Sequence, residues 1–421
     1  MEQLNIALAT IGVAVLVLGV CSRPLNRSVL PLPVAAFAIG ILIGPVGMGT
    51  LDPATWAYPE KILEETARLT LGISLMGIAL RIPPRYPFQH WRTFLVLLGL
   101  GMPLMFLISS LLAYWTLGVP FLLALLVGAA ICPTDPVVAS SIVTGNLAKE
   151  SLPERFRHTL STESGANDGL VFSFVLLPIL LLEHTAASAW GQWLFTVVLW
   201  QTLGAVAFGV LLGWLAGRAL NLAERKATID HLSFLAVTLA LTVGTLGLGK
   251  VVGMDSILAV FAAGVAFDQV VGGKDRAVES NIQESINLFF TLPAFMLFGV
   301  MIPLEKWLEL GWGGLALAVL VLLLRRLPVL LLLRPLLPLW HDYRMVITAG
   351  YFGPIGISSL FYGMMILNKS GHEIAWTAGS LVVGASILGH GISAAPAARL
   401  YHRRYGSEPE AKQNSASGPV R

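Results

Sequence analysis

Long apolar runs recur along the whole chain, each near the ~20 residues that an α-helix needs to cross the hydrocarbon of a bilayer. In lipid only helices and closed barrels satisfy their own backbone groups, and runs of this length without period-two alternation read as helices. Between polar breaks, about thirteen spans fall near 4–21, 30–49, 61–80, 92–114, 119–144, 157–182, 192–217, 232–249, 254–271, 283–302, 309–333, 343–367 and 374–400. The expected fold is therefore an all-α polytopic membrane protein. Composition agrees, with 56% hydrophobic and 12% charged residues against about a quarter charged in soluble domains. That balance excludes a water-soluble core and leaves no basic surface for nucleic acid. The first run follows Met1-Glu2-Gln3 and precedes Ser22-Arg23-Pro24. It lacks a basic start and a small-residue cleavage site, so it reads as a span rather than a signal peptide. Cys21 and Cys132 supply neither a disulfide framework nor metal-ligand spacing, and no cofactor is implied.

Basic residues test the count. With the N-terminus outside, the outer segments hold Lys61, Lys250, Lys306 and Lys369. The inner segments hold every other Lys and Arg except the in-span Arg68, Arg325 and Arg326. The positive-inside rule thus favours N-out, C-in and an odd number of spans. Residues 1–404 form one transmembrane unit, and 405–421 reads as a short disordered cytoplasmic tail.

Two spans carry helix breakers in mid-run. The fifth contains Cys132-Pro133-Thr134-Asp135-Pro136 and the twelfth Gly350-Tyr351-Phe352-Gly353-Pro354-Ile355-Gly356. Each proline removes an amide donor and clashes with the preceding turn. Either stretch alone reads equally as a proline kink, which membrane helices tolerate. Their matching places, fifth in spans 1–6 and fifth in spans 8–13, favour breaks, because transporters place substrate where interrupted helices expose backbone at the midplane. Two inverted six-helix repeats follow: one over about 1–184, a linker helix over about 190–220, and the second over about 231–404, with the broken helices of spans 5 and 12 crossing.

Span six reads Ser161-Thr162-Glu163-Ser164-Gly165-Ala166-Asn167-Asp168-Gly169. An ionisable residue within a bilayer costs about 2.5–3.5 kcal/mol or more on insertion scales and faces a paired or wet interior. Glu163 and Asn167 share one helix face, and Ser164 and Asp168 the next. Gly165 and Gly169 leave room for another backbone, expected to be the unwound part of span five. Carboxylate, hydroxyl, amide and carbonyl oxygens together suit a hard cation such as Na+. Desolvation favours the neutral form of a carboxylic acid, so one carboxyl holds a proton until a cation displaces it. If only the loaded site crosses, the two ions travel in opposite directions. Glu163 has a structural alternative as the partner of Arg325 or Arg326 in span eleven. Asp168 has no such partner left. Asp135 either binds cation or offsets the positive end of a half-helix.

These residues resemble the monovalent cation–proton antiporter superfamily. Thr134-Asp135-Pro136 in span five and Glu163-Ser164 with Asn167-Asp168 in span six are its paired signature, and Asn167-Asp168 marks the Asn-Asp branch. The stretches TDPVVASSIVTG, LPERFRHTLSTESGANDG and GPIGISSLFY are most similar to the bacterial and fungal plasma-membrane Na+/H+ antiporter subgroup. The resemblance covers residues 4 to 404. It implies Asp168 as principal cation and proton carrier, with Ser164 and the Thr134 carbonyl adding oxygens for Na+ and Asp135 lining the site. It further implies Glu163 acting with Asn167 and facing an arginine that matches Arg325 by the register Arg325-x-Leu327-x-Val329. A homodimer with interleaved dimerisation and core domains is implied as well. Animal exchangers carry an arginine where this chain has Ile355, and a long regulatory tail that this chain lacks, so the resemblance implies nothing about pH regulation.

The expected activity is electroneutral exchange of Na+ or Li+ for H+ by alternating access in the cell membrane. A K+/H+ antiporter of the same fold is the alternative. A cation channel is a distant one, since no symmetric selectivity ring is suggested. Asp135 and Asp168 mimic an aspartyl dyad only superficially, and Ser161 and Ser164 have no paired base, so no enzyme is expected. Elsewhere, Arg68 with Glu64 and Glu65 reads as an outer ion cluster, Asp255 as a helix cap and His390 as a packed histidine. Trp56, Trp91, Trp115, Trp190, Trp307 and Trp340 read as interfacial anchors.

Overall fold

The computed structural model describes residues 2–22, 25, 31–135, 152–226, 233–272, 276–340 and 342–405. Positions 136–144 of the expected fifth span, with Arg23, Arg27, Lys149, Lys274 and the tail from 406, lie outside the described residues. In chain order the main helices are α1 (Glu2–Val20), α2 (Leu32–Ile43), α3 (Pro59–Arg81), α4 (Trp91–Leu117), α5 (Phe121–Ala130), α6 (Glu154–Glu183), α7 (Ala186–Arg225) and α8 (Ser233–Val251). They continue with α9 (Ser256–Val271), α10 (Arg276–Val300), α11 (Gly311–Leu324), α12 (Leu327–Leu333), α13 (Tyr343–Tyr351), α14 (Ile357–Ser370) and α15 (Glu373–Tyr405).

Helix stands in each of the expected intervals. By length and composition, 6 helical stretches among the described residues are long and apolar enough to cross a membrane: α4, α6, α7, α8, α11 continued through α12, and α15. The other intervals hold shorter, interrupted or more charged helices, so the count of thirteen crossings remains an expectation. Two irregularities were not visible in the apolar pattern. α4 and α7 each contain a π-helical stretch, Leu97–Gly101 and Trp193–Leu203.

Small residues let the backbones touch. A Cβ on Gly209 of α7 would fall 2.2 Å from the Ala259 carbonyl oxygen of α9, and one on Gly213 would fall 2.1 Å from that of Ala263. This spacing of four is the small-xxx-small packing of membrane helices, which rests on van der Waals contact because lipid removes the hydrophobic drive. The expectation for Gly165 and Gly169 of α6 is corrected. They face Phe261 and Leu258 of α9, since a regular helix packs into a glycine groove more closely than an unwound strand.

Segments assigned to one membrane side meet at one end of the bundle. Lys61 and Lys250 converge on Glu65, at 3.5 and 2.6 Å, and Asn368 reaches Glu64 of the same turn at 2.6 Å. At the other side's segments, the Tyr86 hydroxyl donates to the Arg155 carbonyl at 3.0 Å and meets Thr159 Oγ1 at 2.7 Å. Trp91, Trp115 and Trp190 are exposed, as interfacial anchors must be. Trp340 is not one of them. It is fully buried, with its ring 6.1 Å from that of Phe156 of α6.

Candidate functional site: two interrupted helices on one polar face

α5 stops at Ala130 and the backbone runs on without helix through Cys132–Asp135. α13 stops at Tyr351 and runs on likewise through Phe352–Gly356 before α14 begins. Pro133 and Pro354 sit inside these stretches, where a missing amide ends the ladder. The stretches are joined. Asp135 N donates to the Pro354 carbonyl at 2.8 Å, and Asp135 Oδ2 accepts from Ile357 N at 2.6 Å. Of the two roles open to Asp135, the contact with a half-helix is present, and it leaves the other role open. Its carboxylate meets the first amide of α14, where the helix dipole is positive.

α6 lays its polar face against this crossing. Asn167 Nδ2 donates to Thr134 Oγ1 at 2.7 Å and to Glu163 Oε1 at 3.0 Å, while its Oδ1 accepts from Thr134 N at 3.2 Å. The Thr134 and Ser164 hydroxyls lie 3.1 Å apart. One amide side chain thus ties the first break to the helix below it. Glu163, Ser164, Asn167, Asp168, Thr134 and Asp135 are all buried, so the expected site residues come together in one place.

The arginines correct one expectation. Arg326, not Arg325, pairs with Glu163, with Nη1 on Oε1 at 2.9 Å and Nη2 on Oε2 at 2.8 Å, a bidentate geometry. Arg326 Nε also donates to the Ala349 carbonyl at 3.0 Å. Arg325 instead donates from Nη1 to the carbonyls of Ile131, Cys132 and Pro133 at 2.7, 2.7 and 2.8 Å, and from Nη2 to that of Gly353. It holds the negative ends of α5 and α13 together. The reason lies in the local sequence. Pro328 is the second residue of α12 and has no amide for the Leu324 carbonyl, so the helix breaks at Arg325–Arg326. Expected span eleven is therefore two helices, and consecutive arginines leave it in different directions. A register read along one unbroken helix assigns the wrong one.

Asp168 stands apart. It is 1% exposed, its Oδ1 makes no hydrogen bond among the described residues, and Asp135, Ser358 and Glu163 are near enough to act on its charge. Ser359 Oγ, on the first turn of α14, is likewise buried without a hydrogen-bond partner among the described residues, while Ser358 Oγ of the same turn is placed to reach the Asp168 carboxyl. Tyr362 anchors the backbone here, its hydroxyl donating to the Asp168 carbonyl at 2.5 Å. Tyr362 and Ser358 were missed in the sequence because both sit in an apolar run with no charged neighbour. Their spacing of four, one turn of the helix entered from GPIGISS, was the available signal.

Other assignments hold. Asp255 caps α9 through Oδ1, which accepts from Ile257 N and Leu258 N at 3.0 and 3.2 Å. His390 Nδ1 is 3.2 Å from Ser386 Oγ, which accepts from Ile355 N of the second break. Arg68 Nε meets Glu65 Oε2 at 2.7 Å.

Known proteins carry the same pattern. Residues 11–400 match the family described as sodium/hydrogen exchanger, transmembrane. A Na+/H+ antiporter of Schizosaccharomyces pombe is 30% identical over 382 residues, covering 84% of this chain and 81% of the relative. A Na+/H+ antiporter of Saccharomyces cerevisiae is 32% identical over 335 residues, 77% of this chain. The chain spans only 34% of that protein's length, and 41% of a similar antiporter of Zygosaccharomyces rouxii. A K+/H+ antiporter of Shewanella is 26% identical over 93% of this chain. The fold matches that of a sodium proton antiporter from Methanocaldococcus jannaschii, with a TM-score of 0.77, 18% identity, and 96% and 100% of the two chains covered. The chain is a multi-pass membrane protein that belongs to the transmembrane sodium/hydrogen exchanger family.

Proposed function

We propose that the chain exchanges Na+ or Li+ for H+ by alternating access, with Asp168 as the group that carries either ion. One observation supports this above the others. Of the two carboxyls on the polar face of α6, Glu163 is neutralised by a bidentate arginine and an amide, whereas Asp168 keeps an oxygen that makes no hydrogen bond among the described residues, in a buried setting. A carboxylate left so costs free energy unless a proton or a cation joins it. Both do, and they compete.

Neutral Asp168 is the proton-loaded form. Na+ entering the pocket gains oxygens from Asp168, Ser164, Thr134 and Asp135, a ligand set for hard cations, and the proton leaves. The charge of Asp168 is compensated in either form, so the loaded site crosses the low-dielectric interior while the empty anion does not. Arg325 and Asn167 hold both breaks and α6 as one body during the movement. One titrating carboxyl makes the exchange electroneutral.

The wider organisation belongs to the same reading: two inverted repeats over about 1–184 and 231–404, joined by the helix over about 190–220. It also includes a homodimer, and an N-out, C-in orientation in the cell membrane. The clustering of Lys61, Lys250 and Asn368 at one end of the bundle supports that alternation of sides. The Shewanella relative makes K+ the second candidate cation. Proton flux in proteoliposomes driven by Na+, Li+ and K+ in turn separates the two. Asp168→Asn abolishes flux with every cation, and full flux in that variant refutes the proposal.

A further inference from the structure

α14 joins the polar crossing to a distant hydrogen bond. α14 begins at Ile357, whose amide meets Asp135, and ends at Ser370, with Asn368 in its last turn. From Ile357 to Ile366 every side chain is buried, and no proline interrupts the helix. At 1.5 Å per residue, Asn368 lies about 17 Å along a rigid rod from the crossing. Its Nδ2 donates to Glu64 Oε2 at 2.6 Å. Glu64 is 5% exposed and takes its other donor, Lys61 Nζ at 2.9 Å, from its own helix.

The rest of the cluster fixes α3 to α8 instead. Glu65 accepts from Lys250 at 2.6 Å and from Arg68 at 2.7 Å, and Arg68 Nη1 donates to the Leu246 carbonyl at 3.3 Å. Lys61 and the Glu65 network therefore stay with Glu64 if α14 moves. The Asn368 bond does not, because it joins α14 to that unit.

We propose that the Glu64–Asn368 contact is an outer lock, closed in this structure, which opens when the Asp168 site turns to the outside, with α14 linking its state to Asp135. This rests on the alternating-access reading. The lock is cheap to open, since water replaces Asn368 on Glu64 while Lys61 keeps the charge paired. It is also specific, since α14 cannot tilt at Asp135 without shifting Asn368.

The test uses the full chain in proteoliposomes with Cys21→Ser, Glu64→Cys and Asn368→Cys. A short bifunctional methanethiosulfonate reagent bridges the thiols, and dithiothreitol releases them. Bridging should lower cation-driven proton flux about tenfold or more, because a site held shut on one side cannot alternate, and reduction should restore it. Flux that persists with bridging complete by mass spectrometry overturns the lock while leaving the exchange reading intact. Absence of flux in the unmodified wild-type chain would count against the exchange reading instead. Hydrogen exchange measured on Glu64→Ala gives a readout independent of transport. Faster exchange is expected at the last turn of α14 and at its first amides, with α5 unchanged. No change at either end of α14 overturns the proposal.

Discussion

Removing either half of the Glu163–Arg326 pair leaves a buried charge with little to meet it. In Glu163→Leu, the two Nη groups of Arg326 lose both carboxylate oxygens, and among the described residues only the Nε bond to the Ala349 carbonyl survives. The two side chains are 1% and 3% exposed, so water cannot take over. Breaking one partner of such a pair costs about 3–5 kcal/mol, whereas replacing both by apolar groups of similar volume is often nearly neutral. Glu163→Leu and Arg326→Met should therefore each destabilise by about 3–5 kcal/mol, and the double variant by much less than their sum. The coupling should therefore reach or exceed about 3 kcal/mol, the top of the range for residues in one network. Equilibrium unfolding in mixed micelles, followed by tryptophan fluorescence, measures all four corners of the cycle. The same cycle with Arg325→Met in place of Arg326→Met should be close to additive, because Arg325 donates to backbone carbonyls. Strong coupling of Glu163 to Arg325, with none to Arg326, refutes the assignment.

Three further outcomes follow from the packing and the charges. Gly213→Leu places a branched side chain where even a Cβ would lie 2.1 Å from the Ala263 carbonyl oxygen; a loss beyond the usual ~1–3 kcal/mol of overpacking is expected, seen as little folded protein by size-exclusion chromatography. Asp255→Ala removes two amide contacts at the start of α9 and should cost about 0.5–2 kcal/mol, measured by the same unfolding assay. Burial, reinforced by the nearby Arg155 charge, holds the His90 pKa below its ordinary 6.5. The unfolded chain then takes up a proton near pH 6.5 and the folded chain only at lower pH, so stability is full above 6.5 and falls as pH drops below it. Tm against pH should be flatter in His90→Gln, and an unchanged profile counts against this.

Much of the site is legible in the sequence because its signals are local. Pro133 and Pro354 announce breaks by lacking an amide, and Glu163 with Asn167 announces a shared face by spacing alone. Clustering of the site residues follows once the two breaks must cover each other's backbone groups. What was not legible depends on geometry between segments. The choice between Arg325 and Arg326 turns on where the helix breaks before Pro328, which a register along one span hides. The partners of Gly165 and Gly169 depended on α9 reaching the groove before the unwound chain did. Trp340 was misplaced because nearness to a span end does not reveal whether another helix, here α6 with Phe156, packs against the residue. Tyr362 and Ser358 carry no charge and no breaker, so only the helix that bears them, once placed on Asp168, gives them meaning.

Competition between a proton and a cation for Asp168 can be measured without transport. Calorimetric titration of Na+ into the detergent-purified chain, repeated in buffers of different ionisation enthalpy, counts protons released on binding. About one proton per Na+ is expected near the pH where Asp168 is neutral, because a ligand must deprotonate to bind a metal ion, and Asp168→Asn should release none. Na+ binding that releases no proton at any pH, or undiminished release from Asp168→Asn, contradicts the account.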